Sequence, residues 1–176
     1  MTILSTFSTW PAIRWPWFLL AGSALLLEFI ALNFQYIMGL EPCVMCVYQR
    51  AAVAGIMISA LPAMIAPKLI VARILSYVIW LTSSIWGLII AFEHVQMQNP
   101  ENFMLAMSCD VYPNFPSWFA IHQWFPNIFE ARGTCGDIDW IFLGYSMPQW
   151  MVVCFSLYTL LAVIIIGNRL IHSKKL

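Results

Sequence analysis

Charge is scarce in this sequence: only 9% of its 176 residues are Asp, Glu, Lys or Arg, against roughly 25% in an ordinary soluble domain. A water-facing globule is therefore excluded. Eight Lys and Arg balance eight Asp and Glu, so there is no basic excess to neutralise a phosphate backbone and no charged block to form a disordered tail. Nucleic acid drops out as a partner. Also missing are a Cys-x-x-Cys-His haem attachment run, a dinucleotide glycine motif and an iron–sulfur cysteine series. No internal repeat or low-complexity segment occurs. What fills the chain is apolar: 62% hydrophobic, with nine Trp, twelve Phe and six Tyr. Long runs without charge make it a compact integral membrane protein whose solvent is the lipid bilayer.

Crossing a hydrocarbon core of about 30 Å takes about 20 apolar residues in a helix. Four segments meet that length, at about 17–38, 44–66, 69–92 and 148–167. Pro16 and Pro148 suit first helical turns, Gly39 suits a stop, Pro67 separates the second span from the third, and Pro62 is placed to kink the second. The first span exceeds the apolar core of a secretory signal and no small-residue cleavage pattern follows it, so it is expected to remain. An even number of spans puts both termini on one side. That side receives Arg14, Lys68, Arg73, Arg169, Lys174 and Lys175, with only Arg50 and Arg132 opposite; this asymmetry predicts cytoplasmic termini.

Two connections then lie outside the cytoplasm, a short one at 39–42 and a long one at about 93–147. The fold expected is an all-α membrane protein, a single four-transmembrane-helix bundle with a long periplasmic loop. Ser117 is placed to cap a short helix presenting Trp118, Ile121 and Phe125 on one face, with Trp124 and Phe129 nearby. That segment reads either as an interfacial helix or as a small external cap with an aromatic core. Ile3, Leu4, Phe7 and Trp10 recur at near-helical spacing, as in a surface-lying amphipathic helix or a frayed terminus. His122 reads as a surface residue of the loop.

Chemistry concentrates in cysteine. Cys43 and Cys46 form a Cys-x-x-Cys pair at the start of the second span, and Cys109 and Cys135 sit in the long loop on the same face. On an oxidising face, two disulfides are the default. A bridge between residues three apart restrains little chain entropy, so the first pair is a poor staple. The unpaired amides of a helix first turn also favour a thiolate there, which makes it a redox pair. The loop pair would stabilise by up to about 3 kcal/mol as a plain staple. Its polar neighbours Ser108, Asp110, Gly133, Thr134, Gly136 and Asp137 instead suit attack by an incoming thiol. Zinc, the other use of four thiolates, lacks a second Cys-x-x-Cys and the usual His spacing, so no metal site is expected. Cys154, inside the fourth span, reads as packing.

Dithiol oxidation releases two electrons and two protons, and with no protein-bound carrier motif the acceptor is expected to dissolve in the membrane, as a lipid quinone does. Arg50 follows Cys46 by four residues, which places both on one helix face about 6 Å apart along the axis. It is either the cation beside a thiolate and a quinone or a residue snorkelling to the interface. His94, closing the third span, is either a hydrogen-bond or proton donor to a quinone oxygen or an interfacial histidine. Glu28, mid-span, is neutral and hydrogen-bonded, paired with Arg50, or used in proton uptake.

The run Pro42-Cys43-Val44-Met45-Cys46-Val47-Tyr48-Gln49-Arg50, with Glu93-His94, Cys109, Cys135 and Met147-Pro148-Gln149-Trp150, resembles the disulfide bond formation protein B family of the bacterial inner membrane. The likeness covers nearly the whole chain. It implies a disulfide oxidase that reoxidises a periplasmic thioredoxin-like dithiol oxidase (DsbA type) and passes electrons to ubiquinone or menaquinone. It further implies attack on a Cys109–Cys135 bridge at Cys109, exchange of Cys135 with Cys43, release of Cys46 toward the quinone, and Arg50 and His94 at the quinone ring. Some relatives carry an acidic residue where Gln49 stands. The rivals are a tetraspan scaffold with inert disulfides and a quinone-linked thiol reductase resembling vitamin K epoxide reductase. A transporter is disfavoured by the lack of paired broken helices.

Overall fold

The computed structural model describes residues 13–102, 104, 107–110 and 112–173. The N-terminal positions 3–10 and the basic pair Lys174 and Lys175, used above, lie outside these residues. Four helices are long and apolar enough to cross a membrane: α1 (Trp15–Tyr36), α2 (Val44–Ile65), α3 (Ile70–Met97) and α6 (Met147–Ser173). Between α3 and α6 come the single turns α4 (Ile121–Trp124) and α5 (Pro126–Phe129), with 3₁₀ turns at Pro100–Asn102 and Ser117–Phe119.

The ends follow from local chemistry. Pro16 sits in the first turn of α1, where its missing N–H costs nothing. After Tyr36, Gly39 takes φ +70°, and Leu40 N–H reaches back to Phe34 O at 3.0 Å, a glycine-terminated helix end. Pro62 lies inside α2, and the next residue, Ala63, donates its N–H to Ser76 Oγ of α3 at 3.2 Å. Pro67 falls in the tight turn that reverses the chain into α3.

Lipid supplies no hydrophobic drive between helices, so close packing of small residues must hold them together. Ala24, Ala52, Ala60, Ala63, Ala91 and Ala162 are buried along the inner faces, while Leu25, Phe29, Ile58, Val78, Ile89 and Leu160 face outward. At Gly87 the ring of Phe155 lies where a Cβ would stand, so α3 and α6 approach as only glycine allows. Helix α2 packs on α1 and α3, and α3 on α6. In contrast, α1 and α6 meet sparsely, and their seam is tied by Tyr158 Oη donating to Ser23 Oγ at 2.9 Å.

The four-helix membrane bundle is as expected, two details of the expectation change, and the loop adds one small hairpin: β1 (Ile141–Phe142) pairs antiparallel with β2 (Tyr145–Ser146), with Ile141 opposite Ser146. Leu143 and Gly144 both hold positive φ, 52° and 84°, the backbone of a two-residue hairpin turn. Helix α3 runs on to Met97, so His94 lies within its last turn rather than closing it. Ser117 caps no longer helix; it opens a 3₁₀ turn. Ala120 and Phe125 leave helical geometry (ψ 62° and 64°), Phe125 because Pro126 follows it.

Candidate functional site: a sulfur relay over a polar cleft

The turn between α1 and α2 sets the first sulfur. Cys43 has extended backbone and acts as the N-cap of α2, its Sγ accepting from Cys46 N–H at 3.2 Å. This bond holds both sulfurs at the same helix mouth, with Sγ to Sγ 2.9 Å and no covalent bond between them. Cys43 is buried and Cys46 half-buried. The Cys43 thiol is pushed up from its ordinary value, first by the hydrogen bond it gives Cys46 and then by burial. The hydrogen bond to Cys46 therefore keeps a proton on the Cys43 sulfur.

Cys109 and Cys135 are joined as a disulfide, with Cα atoms 6.3 Å apart. Cys135 is 2% exposed and packs in one cluster with Cys43 and Met97, with Met45, Cys46 and Cys109 at its edge. Two backbone bonds hold the loop there. Arg132 N–H and Gly133 N–H both donate to Pro42 O, at 2.9 and 3.1 Å, so the residue before Cys43 and those before Cys135 share one carbonyl. Thr134 Oγ1 bonds Asp137 Oδ2, and Gln98 on α3 donates to Asp137 O at 3.1 Å. Cys109 is half-buried, the more accessible half of its bridge.

Below the sulfurs lies a cleft lined by Glu28 and Ala31 of α1, Cys46, Gln49 and Arg50 of α2, His94 of α3 and Met151 of α6. Arg50 does not snorkel. Only 8% exposed, it turns onto α1 and the loop, with Nη1 donating to Gln35 Oε1 at 2.6 Å and Ile128 O at 2.8 Å, and Nη2 to Ala31 O at 3.0 Å. The fork is fixed on three acceptors from two segments, as a planar guanidinium allows. His94 is buried, with Nε2 3.5 Å from Cys43 Sγ and Nδ1 accepting from Gln49 Nε2 at 3.1 Å. Since an amide nitrogen only donates, Nδ1 is the acceptor and the ring proton sits on Nε2, aimed at sulfur. Glu28 makes no bond to Arg50; both its carboxyl oxygens are buried without a hydrogen-bond partner, although Arg50 acts on it electrostatically.

The six residues predicted as the site thus come together at one bundle end. Gln49, Gln35 and Gly133 complete it, and sequence reasoning missed their roles. Polar amides in an apolar span were the available signal for the first two; nothing local marked Gly133. Cys43, Cys46 and His94 also offer ligand atoms all within 4.8 Å, three donors of the kind zinc takes. Cys154 lies outside the cleft, half-buried in α6. His122 is not a surface residue: it is half-buried and stacked on Phe115 with centroids 5.8 Å apart. Around it Ile121 and Phe129 pack on Val47 of α2, whereas Trp118, Trp124 and Phe125 are exposed.

A quinone would suit this cleft on its own chemistry. Glu28, whose buried oxygens have no partner, can donate to a guest's carbonyl once it carries a proton, and Arg50 and His94 supply further donors among apolar walls.

A family model described as "Disulfide bond formation protein DsbB" matches residues 13–165. The chain is 47% identical over 163 residues to a disulfide bond formation protein B from Psychromonas ingrahamii, covering 92% of this chain and 86% of that protein. It is 45% identical over 161 residues to one from Pseudoalteromonas atlantica (92% and 93% covered). A third, from Haemophilus influenzae, is 42% identical over 163 residues (92% and 90%).

Proposed function

Because the chain belongs to the disulfide bond formation protein B family, a multi-pass oxidoreductase of disulfide formation, we propose that it is the thiol:quinone oxidoreductase of a bacterial inner membrane. Its electron donor is a periplasmic thioredoxin-like dithiol oxidase of DsbA type, and its acceptor is ubiquinone or menaquinone. Both termini are cytoplasmic and the four sulfurs periplasmic.

One observation carries this reading: a loop disulfide whose buried sulfur, Cys135, packs against Cys43, while Cys46 opens onto a cleft lined by Arg50 and His94. The partner's thiolate attacks Cys109, breaking Cys109–Cys135 and forming a mixed disulfide. The partner's second thiol then displaces Cys109 and leaves with its own disulfide. The two electrons and two protons now on Cys109 and Cys135 move inward when Cys135 attacks a Cys43–Cys46 bridge at Cys43, and Cys109 closes on Cys135. That exchange leaves Cys43 and Cys46 as the dithiol pair and restores the loop bridge. A bound quinone supplies the final two-electron, two-proton sink. Arg50 holds positive charge beside Cys46 and the acceptor, and His94 holds a proton on Nε2 next to Cys43.

The sink is needed energetically. DsbA, the reference strong dithiol oxidant, sits at about −120 mV, so an ordinary structural disulfide below about −300 mV would regenerate it at a cost of roughly 8 kcal/mol. The test uses purified full-length protein, reduced DsbA-type partner and a short-tailed ubiquinone, following loss of quinone absorbance. Turnover is expected, and Cys46→Ser should abolish it. Quinone reduction that persists in that variant defeats the relay.

A further inference from the structure

Cys43, Cys46 and His94 form a donor set that no sequence spacing announces, because the histidine arrives on another helix. Their ligand atoms lie within 4.8 Å of one another. A tetrahedral zinc ion, with bonds of about 2.3 Å to sulfur and about 2.0–2.1 Å to nitrogen, sets a sulfur and a nitrogen about 3.5 Å apart and two sulfurs about 3.8 Å apart. Cys43 Sγ and His94 Nε2 already stand at 3.5 Å. The two sulfurs, at 2.9 Å, must part by a little under about 1 Å, which a turn of the half-buried Cys46 side chain supplies.

Charge favours a divalent guest. Two thiolates cancel the charge of such an ion, so no net charge is left at a bundle end where an unpaired one is costly. Exposed Glu41, Asp137 and Asp139 line the cleft in front of the sulfurs. Among the described residues lining it, Arg50 is the one Lys or Arg, and its fork is turned onto Gln35, Ala31 and Ile128. A neutral quinone gains nothing from the carboxylates, whereas a cation is drawn in by them. A metal on Nε2 moves the ring proton to Nδ1. Gln49, which donates to Nδ1 at 3.1 Å, accepts that proton once its amide turns to present Oε1, and a partner of this kind fixes the tautomer of a liganding imidazole. Three protein ligands leave a fourth position open to the cleft.

We propose that the dithiol form of Cys43 and Cys46, together with His94, binds one Zn²⁺, and that the bound ion arrests the relay before the quinone. The site exists only in that form: two thiol protons leave as the ion enters, and re-forming the Cys43–Cys46 bridge expels it. The arrest rests on the relay proposed above; the site does not.

Full-length protein carrying Cys109→Ser and Cys135→Ser, reduced, freed of reductant and held in detergent, confines dithiol chemistry to the inner pair. Titration with Co²⁺ should load one ion per chain, with thiolate-to-cobalt charge-transfer and tetrahedral d–d absorption, displaced by one equivalent of Zn²⁺ and insensitive to excess Mg²⁺. Oxidation of the pair should abolish uptake. His94→Ala and Gln49→Leu should each weaken Zn²⁺ about tenfold or more in competition with a chromophoric chelator, and Gln49→Glu, whose carboxylate accepts from Nδ1, should tighten it. Mixed with a short-tailed ubiquinone, the dithiol should oxidise in a single turnover, slowed about tenfold or more by one equivalent of Zn²⁺ because the metal must leave first. Absence of cobalt–thiolate absorption, or an affinity unchanged by His94→Ala, overturns the site; zinc-loaded protein that oxidises at the metal-free rate overturns the arrest. Cobalt uptake without any single turnover upholds the site and faults the quinone reading instead, whereas turnover without uptake does the reverse.

Discussion

Gly133 separates the two halves of the relay without touching any sulfur. A Cβ built there meets the Glu41 carbonyl oxygen at less than contact distance, with Glu41 C at 3.2 Å and Cys43 N at 3.4 Å. All three atoms are backbone, so none can rotate aside, and Gly133→Ala must lift the loop off the α2 turn. The bonds at risk are those from Arg132 N–H and Gly133 N–H to Pro42 O. At a net value of about 0.5–1.5 kcal/mol each, losing both costs about 1–3 kcal/mol of docking, or roughly a 5- to 150-fold fall in the population that presents Cys135 to Cys43. The entry step, attack on Cys109, does not need that docking. The variant should therefore open its loop bridge at the normal rate and accumulate the reduced Cys109 and Cys135 thiols, seen as doubly alkylated loop cysteines after acid quench. Quinone reduction should fall by the same 5- to 150-fold. Gly22→Ala, where nothing lies within 4 Å of the added atom, is the control and should turn over normally. Unaltered turnover by Gly133→Ala, with no reduced loop pair building up, would refute the docking argument.

Arg50→Met removes the cation and the donors it gives Gln35 Oε1 and the carbonyls of Ala31 and Ile128. The apparent quinone KM should rise about tenfold or more, from about 1.5–3 kcal/mol for one charged hydrogen bond, and Arg50→Lys should recover only part of it because an ammonium cannot span three acceptors; an unchanged KM in steady-state assays counts against the placement. Gln49→Leu leaves His94 Nδ1 buried without its donor, a loss of about 1–3 kcal/mol. Quinone reduction should drop about tenfold, with loop-bridge exchange unchanged and activity partly regained in Gln49→Asn, as stopped-flow of the two half-reactions would show. The raised Cys43 thiol stays protonated as pH climbs through neutrality, since a raised value keeps the acid form to higher pH. Brief iodoacetamide treatment at pH 7 of protein with the loop bridge intact should label Cys46 and spare Cys43 on peptide mapping, and equal labelling would contradict the proton's assignment.

How much of this was legible depends on the range of the interaction that fixes each feature. Spans, their Pro and Gly ends and the Cys43-to-Arg50 spacing are local, because helix periodicity converts sequence distance into space within one or two turns. Four long apolar helices are present among the described residues and α2 begins at Val44 with Cys43 as its cap, whereas α3 and α6 run past the expected span ends. The hairpin at Ile141–Ser146 was missed because its turn is Leu143-Gly144, not one of the Asn or Asp pairs that advertise positive φ at both positions. The single aromatic helix was over-read because face periodicity ignores what Pro126 does to Phe125. The orientation of Arg50 was undecidable from sequence: on an isolated helix, snorkelling and inward pairing use the same residue at the same depth. What decides it are Gln35 and the Ile128 carbonyl, 15 and 78 residues away. Gly133 and Pro42 are likewise remote in sequence and joined only by folding. Residues that carry the chemistry were therefore visible as types, while those that aim it were not. In a charge-poor bundle the aiming is done by amides and backbone carbonyls, which satisfy buried polar groups without adding charges that a hydropathy reading would notice.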